Sequence, residues 1–438
     1  MAMNMKQFIF IAFLNDYGEF MNLFLKNKVF RWIIISDFLN NSGASIYNIV
    51  FVIFASTMPN PRIMVFIANA VVLIPIFFQI SVGIRADKTE RKVKWAINIG
   101  FCQAILFIIV ALLQRNMSYL AFSAVCFINI ISDTFSNLER GLKMPILQKN
   151  IPQNTMMAAF SFKQFVTYIS SLLGQIFGVW LLSVSYQNFS FVAIINAVTF
   201  LLSVFSLMII RKEMSFDFIS ADSKDSKNTL TTRLKSILSN ARQIFGKEGA
   251  SGFTRMLSCI ILVNVLGSAI LPIFNIVLLD KTILNLPFGT SILIMQSAYI
   301  LGVIVSSLLP NDVFSKLSLT TLISFVSASL LGLSALNMSQ FPALMSTIFI
   351  VFIGYVIGKI NPKLSSQLLN ALSPEVLAQT GAFLDTLFML SIPVGTVMFT
   401  SLTLWHVKIS WFIFSILSLV ALILILTTHK RKQKNEAI

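Results

Sequence analysis

The stretch SVGIRADKTERKVKW, Ser81 to Trp95, lies between two long apolar runs of the chain. Its last eleven positions, 85–95, hold five basic and two acidic residues. The chain around it is apolar: of 438 residues, 56% are hydrophobic and only 11% are charged, and the mean hydropathy is +0.83. A soluble protein has about 25% charged residues. The composition therefore predicts helices dissolved in lipid, with short charged loops between them.

Twelve apolar segments are long enough to cross a membrane, since a bilayer core of about 30 Å needs about 20 apolar residues. The predicted spans are 31–57, 62–84, 93–114, 117–138, 155–184, 188–210, 253–279, 287–309, 317–337, 341–360, 378–403 and 408–428. The long gap at 211–252 divides them six and six. The predicted fold is an all-α integral membrane protein of two pseudo-symmetric six-helix bundles.

The basic residues predict the orientation of the chain. If the amino terminus is cytoplasmic, 28 Lys and Arg residues face inward, and one, Lys163, lies inside a span. Only four face outward: Arg62, Arg115, Lys281 and Lys408. Basic residues accumulate in cytoplasmic loops, so both termini are expected to be cytoplasmic. The net charge of +16 has the same explanation, and it gives no support to a nucleic-acid partner.

The predicted organisation has five parts. Segment 1–30 carries a surface-lying helix, 31–210 is the first bundle, 211–252 is a cytoplasmic loop with an amphipathic helix on the membrane face, 253–428 is the second bundle, and 429–438 is a basic tail. A weak repeat relates 151–178 to 372–396. Duplicated halves are typical of transporters that form a site between two bundles.

The charged loop resembles the loop signature of the major facilitator superfamily, G-x-x-x-D-(R/K)-x-x-R-(K/R). Its positions are Gly83, Asp87, Lys88, Arg91 and Lys92. Glu90 stands where the family usually has Gly, which is similar to the branch of macrolide, drug and siderophore exporters. Arg85 stands where the family prefers Leu. With the twelve spans and the central loop, the resemblance covers nearly the whole chain.

The resemblance implies a gate at this loop. Asp87 is expected at the amino end of the eleventh span, where helix N–H groups favour an anion. Arg91 is expected to pair with Asp133 at the inner end of the fourth span. This cluster would latch the halves in one gate state. Gly83 would permit close helix approach or an unusual backbone angle. The alternative, a set of positive-inside anchors, suffices for Lys88, Lys92 and Lys94.

Ionisable residues inside spans are costly and are candidates for function. Asp37 lies in span 1 beside polar residues at helical spacing, Asn41 among them, and is a candidate proton or substrate site. Lys163 in span 5 lies at a similar predicted depth, so a structural pair with Asp37 is the alternative. Asp385 in span 11 is the third candidate, with polarity at a helix interface as its alternative.

Span 5 also holds Gly174 and Gly178 in the sequence GQIFG. Small residues four apart let helices approach closely. The pattern resembles a degraded form of the exporters' span-5 motif, with Gln175 in place of the expected Pro. Ordinary packing glycines are the alternative interpretation.

Other kinds of site have no support in the sequence. The three cysteines lie in apolar runs without metal-ligand spacing, and the two histidines are far apart. We therefore expect no metal, no cofactor and no enzyme activity. The nucleotide-binding pattern GxxxxGK[ST] is absent, so the chain itself is not expected to hydrolyse ATP.

The expected function is secondary transport, with protons exchanged for a small-molecule substrate. The resemblance implies a monomeric antiporter that exports amphiphilic molecules such as drugs or macrolides from the inner membrane of a bacterial cell. The alternatives are export of a siderophore or lipid-like molecule, and uptake of a nutrient. A further alternative of another class is a non-transporting receptor or immunity partner that has the same fold.

Overall fold

A computed structural model describes residues 23–115, 118–152, 155–213, 249–309, 312–339, 341–371 and 374–436. Some side chains within these ranges are outside the description, among them those of Asp87 and Asp385. The surface-lying helix predicted before residue 23 and the amphipathic helix predicted within 214–248 also lie outside the described residues. These two helices therefore remain predictions from the sequence.

The described residues form helices and no strand. The helices are α1 (Lys28–Thr57), α2 (Pro61–Val71), α3 (Ile74–Lys88), α4 (Lys92–Leu113), α5 (Tyr119–Asn150), α6 (Met156–Val184), α7 (Phe189–Ile209), α8 (Gly249–Val277), α9 (Phe288–Leu308), α10 (Val313–Lys316), α11 (Leu319–Met338), α12 (Ala343–Ala371), α13 (Pro374–Trp405) and α14 (Val407–Glu436). Within them, twelve segments are long and apolar enough to cross a membrane. The predicted all-helical fold with twelve spans is confirmed.

Polar side chains fix where several helices begin. Asn27 accepts a hydrogen bond from the backbone N–H of Phe30 at the start of α1. Ser118 accepts one from Ala121 at the start of α5. Each cap satisfies an N–H group that the first turn of a helix leaves without a partner. These polar residues therefore mark where α1 and α5 begin.

The second span is broken, whereas the sequence analysis predicted one continuous segment, 62–84. Helix α2 ends at Val71, two turn residues follow, and α3 begins at Ile74. Pro75 lies in the first turn of α3, where proline is favoured because the N–H that it lacks would have no partner there. The break separates α2 from the charged end of α3.

The chain forms two compact units, which divide at this break. Unit 1 contains Met1–Pro59 and Ile74–Asp222, and unit 2 contains Asn60–Leu73 and Ser223–Ile438. Helix α2 is grouped with unit 2 because it packs against α8 and α13. There Arg62 forms an ion pair with Asp280, and the Asn275 amide donates to Asn69 at 2.9 Å.

Three helices extend well past the predicted spans: α5, α12 and α14 end at Asn150, Ala371 and Glu436 rather than near 138, 360 and 428. Hydropathy detects only the apolar part of a helix, and the backbone hydrogen bonding continues through the polar residues that follow. Residues that the sequence analysis assigned to cytoplasmic loops, such as Glu139, Lys143 and Lys359, therefore lie on helices.

Candidate functional site

Four ionisable side chains meet inside unit 1. They are Asp37 of α1, Glu139 and Lys143 of α5, and Lys163 of α6, and we call them the charge cluster. Lys143 and Glu139 are 2% and 3% exposed, while Asp37 and Lys163 are 11% and 15% exposed. Ionised groups are rarely this buried unless they are paired, so the cluster is held by its mutual contacts.

Lys143 is the centre of the cluster. Its Nζ lies 3.0 Å from Asp37 Oδ1 and 2.5 Å from Glu139 Oε1, and it donates to Ser36 Oγ at 2.9 Å. Lys163 Nζ lies 3.1 Å from the other carboxylate oxygen of Asp37, Oδ2. Asp37 is therefore shared by two ammonium groups. Two carboxylates balance two ammoniums, so the cluster is neutral when all four groups are ionised.

Uncharged polar side chains support the cluster. Asn40 Nδ2 donates to Glu139 Oε2 at 2.8 Å, which leaves each oxygen of Glu139 with one donor. The Ser36 and Ser203 hydroxyls are 2.7 Å apart, and Ser203 Oγ donates to the backbone oxygen of Ser36 at 3.1 Å. Such contacts lower the cost of removing charges from water. They also connect α7, which carries Ser203, to the site.

The local sequence explains how the helices present these groups. On α1, residues 36, 37 and 40 lie on one face because helix positions three and four apart are neighbours. Glu139 and Lys143 are four apart on α5, the spacing that lets their side chains meet. On α6, Gly174 and Gly178 leave room for the backbone of α1. A Cβ at Gly174 would lie 2.6 Å from the backbone oxygen of Ser42, and one at Gly178 would lie 2.9 Å from that of Ile46.

The four side chains of the charge cluster differ in their exposure. Asp37 and Lys163 keep some exposure, whereas Glu139 and Lys143 are enclosed. Protonation of Asp37 would remove one of the two negative charges that face Lys143 and would leave Lys163 without its carboxylate partner. A solute carboxylate could then take that place. Protonation of Asp37 would therefore leave the ammonium groups of Lys143 and Lys163 free to donate to a solute in place of Asp37.

The structure brings Asp37 and Lys163 together, as the pairing alternative in the sequence analysis required. Asn41 is half-buried one position after Asn40 and, within the described part of the chain, makes no side-chain hydrogen bond. The side chain of Asp385 lies outside the described residues, so its candidacy stays a prediction.

Sequence reasoning missed Glu139 and Lys143, although α5 carried a signal for them. Ser132, Ser136, Glu139 and Lys143 recur at intervals of three or four residues, which continues one polar face of the fourth span past its apolar part. Lys143 was counted instead among the inward-facing loop residues. A buried lysine that is paired with two acids does not act as a surface anchor.

The charged loop differs from its prediction in three respects. Arg91 and Asp133, both within the described residues, form no ion pair. Because α5 continues to Asn150, Asp133 lies near the middle of that helix and not at its end. At Gly83 an added Cβ would meet nothing within 4 Å, and its φ is not positive, so neither close approach nor an unusual angle explains that glycine here.

Lys92 also differs from its prediction. It is 3% exposed and its Nζ donates to the backbone oxygen of Ala86 at 2.6 Å. A cation that binds the last carbonyl groups of a helix stabilises its carboxyl end, so Lys92 caps α3 and is not a solvated anchor. Lys88 and Arg91 are exposed. The side chain of Asp87 lies outside the described residues, and the latch at Asp87 stays a prediction.

Among the described residues, no group of three or more His, Cys, Asp or Glu side chains could hold a metal ion. The cluster itself has only two carboxylates, and both accept from lysine.

Comparisons with known proteins find the same architecture in solved structures. No family model matches the chain, and none of the curated proteins matches it significantly. A mutant of peptide transporter POT in complex with sulfate superimposes with a TM-score of 0.68 at 12% identity, over 93% of this chain and 95% of that one. The chain has the major facilitator fold.

Two further structures agree with this fold. A mutant of nucleoside transporter NupG matches with a TM-score of 0.64 at 14% identity, over 91% of this chain and 99% of that one. A POT family transporter in complex with a thioalcohol-conjugated peptide matches with a TM-score of 0.66 at 14% identity, over 92% and 96%. At such identities the likeness shows the fold alone.

Proposed function

We propose that the chain is a secondary active transporter that couples the movement of a small solute to protons by alternating access. The observation that carries the proposal is the charge cluster, in which Asp37 contacts both Lys143 and Lys163 inside a membrane-spanning bundle. Ionisable groups placed in spans are costly and mark ion or substrate pathways. The fold supports the proposal because the similar solved structures are named as transporters.

Asp37 is the proposed coupling group. It has two cationic partners and partial exposure. Proton binding to Asp37 would therefore remove the negative charge that the ammonium groups of Lys143 and Lys163 face. Glu139 is less suited to this role because its side chain is only 3% exposed, whereas that of Asp37 is 11% exposed. We assign Glu139 and Asn40 to holding Lys143 in position.

For the cargo we propose a small polar solute with an ionised group. The cluster offers two ammoniums and two carboxylates, which match charged groups better than an apolar body. Names of the similar structures, a peptide transporter and a nucleoside transporter, agree with a small polar solute and with the nutrient-uptake alternative, although only peptides carry ionised groups. Export of an amphiphilic drug, macrolide or siderophore is the second candidate, and Glu90 in the loop signature favours it.

Purified protein in lipid vesicles tests the proposal. Radiolabelled dipeptides, nucleosides and a cationic dye are supplied under an imposed pH gradient, and accumulation is measured for the wild type and for Asp37→Asn. We expect gradient-driven accumulation of a polar solute. A coupling free energy of about 1–3 kcal/mol between proton and solute corresponds to about a 5–150-fold change in binding. The Asp37→Asn variant should therefore lose most of the gradient-driven accumulation. It should still exchange solute across the membrane when no gradient is imposed.

Glu213→Gln is the matched control, because Glu213 is an exposed carboxylate whose ion pair with Lys28 lies away from the cluster. It should accumulate solute as the wild type does. Unchanged accumulation by Asp37→Asn would remove Asp37 from the coupling role. Absence of transport for every solute, with binding retained, would favour the non-transporting receptor.

A further inference from the structure

Unit 2 contains a cavity of about 940 Å³ at one end of its helices. It lies where three connections meet, between α8 and α9, between α11 and α12, and between α13 and α14, beside the first turn of α2. Its volume lies in the range of sites for small molecules, about 300–1,000 Å³. All of its lining residues belong to unit 2, so it is separate from the charge cluster.

The lining is positively charged. Arg62, Lys281 and Lys408 line the cavity, with Asp280 as its one acidic residue. Arg62 and Asp280 neutralise each other in an ion pair. Lys281 and Lys408 are exposed and, in the part of the chain that the structure describes, form no ion pair. Two ammonium groups therefore face the cavity without a carboxylate.

The sequence makes this concentration of charge unusual. In the predicted orientation only four Lys and Arg residues face outward, and loops on that side are depleted of both. Three of the four line this one cavity, and only Arg115 lies elsewhere. The orientation of the chain in the membrane does not require basic residues on the outward side. Binding of an anion would require them.

The remaining lining is largely apolar and aromatic. Trp405 and Phe341 are exposed at 76% and 54%, and Trp411, also in the lining, is buried. Tryptophan and phenylalanine offer large apolar surfaces at little cost in conformational entropy. The cavity therefore combines an apolar surface with two cations, which fits a ligand that has an apolar body and an anionic group.

One wall of the cavity is held in a fixed conformation. Leu284 and Asn285 adopt left-handed backbone angles, with φ of 50° and 58°. Non-glycine residues keep such angles only where the surrounding structure enforces them. Here the Ser291 hydroxyl accepts from the backbone N–H of Ile283 at 3.1 Å. The loop that carries Lys281 is thus anchored at the start of α9.

We propose that this cavity binds an amphiphilic anion. Lys281 and Lys408 contact its phosphate, sulfate or carboxylate group, and Trp405 and Phe341 contact its apolar body. An anionic phospholipid and a free aromatic phosphate share this chemistry, and the experiment separates them. The inference does not depend on the proposed transport, because binding is measured without a gradient.

The first arm of the test uses 1-naphthyl phosphate with protein in nanodiscs of phosphatidylcholine, and calorimetry measures the affinity. We expect saturable binding, weaker binding of neutral 1-naphthol, and about tenfold loss of affinity in Lys281→Gln/Lys408→Gln, since charge-assisted contacts are the strong ones. The control, Arg115→Gln/Lys316→Gln, removes the same charge at exposed positions outside the cavity and should bind as the wild type does.

The second arm measures bound lipid by native mass spectrometry, with phosphatidylglycerol compared with phosphatidylcholine. Preferential retention of phosphatidylglycerol that the Lys281→Gln/Lys408→Gln variant loses would identify a lipid ligand. Binding of naphthyl phosphate alone would identify a free small molecule, and both results support the site. The proposal is overturned if neither anion binds, or if both bind the double variant as tightly as the wild type.

Discussion

At the scale of single residues, the charge cluster is stable only as a whole. Removing two charges from water costs several kcal/mol each, and close pairing with further hydrogen bonds offsets that cost. Lys143 contributes most, because it contacts Ser36, Asp37 and Glu139 at once. Without it, Glu139 would be a buried carboxylate whose remaining donor among the described residues is Asn40.

Lys143→Met tests this role of Lys143. The substitution keeps the length of the side chain and removes its charge. We expect a loss of about 3–5 kcal/mol of stability, the typical cost of leaving a buried charge without its partner. The measurement is the unfolding free energy in detergent. A second substitution, Glu139→Gln, should recover part of the loss, because it removes one of the stranded charges.

Lys28→Met is the matched control. Lys28 pairs with Glu213 at 2.5 Å, but both side chains are about half exposed. Lys28 lowers the pKa of Glu213 from its ordinary value through their hydrogen bond, yet solvent screens such a pair and its worth is small. We expect no measurable change in stability. Equal losses in Lys28→Met and Lys143→Met would contradict the account of the cluster.

At the scale of helices, glycine lets a corresponding pair of helices approach closely in both units. In unit 1, Gly174 and Gly178 of α6 lie against the backbone of α1. In unit 2, a Cβ at Gly395 of α13 would collide with the backbone oxygen of Val265 on α8. The fifth and eleventh spans thus pack on the first and seventh in the same way. This agrees with the weak sequence repeat between 151–178 and 372–396.

Gly174→Ala tests this packing. In a helix, alanine is normally more favourable than glycine by about 1 kcal/mol. At position 174 the new methyl group would lie 2.6 Å from the Ser42 oxygen, and such overpacking costs about 1–3 kcal/mol. We expect net destabilisation of the purified protein in thermal unfolding, together with weaker contact between α1 and α6.

Gly267→Ala provides the comparison, because an added Cβ there meets nothing within 4 Å. It should leave stability unchanged or raise it slightly. The two substitutions are chemically identical and are expected to act in opposite directions. Destabilisation by Gly267→Ala of the same size as by Gly174→Ala would show that loss of glycine itself, and not the helix contact, is responsible.

At the scale of the whole molecule, hydropathy was enough to predict twelve spans and an all-helical fold, because lipid leaves few alternatives to helices. The break before Pro75 was not predictable from the proline alone, because Pro145, Pro272, Pro362 and Pro393 lie inside continuous helices. Helix ends beyond the apolar part were missed, so Glu139 and Lys143 were assigned to a loop.

The candidate site was predictable only in part, for a physical reason. Placing a charged side chain inside a span costs free energy, so such a residue is a candidate for function. Asp37 and Lys163 were identified for this reason. Which groups offset that cost depends on how each helix is rotated and where it packs, and periodicity alone does not specify this. Lys143 reaches Asp37 from a sequence distance of 106 residues, and only the packing of α1 against α5 reveals their contact.

The central claim is that Asp37 links proton movement to solute movement. The most direct measurement uses vesicles loaded with pyranine, a pH-sensitive dye, to which a transported solute is added without an imposed gradient. We predict that wild-type protein moves protons when solute is added, and that Asp37→Asn exchanges solute with little proton movement. Solute-driven proton flux of equal size in both proteins, or solute transport by the wild type without any proton movement, would contradict the account.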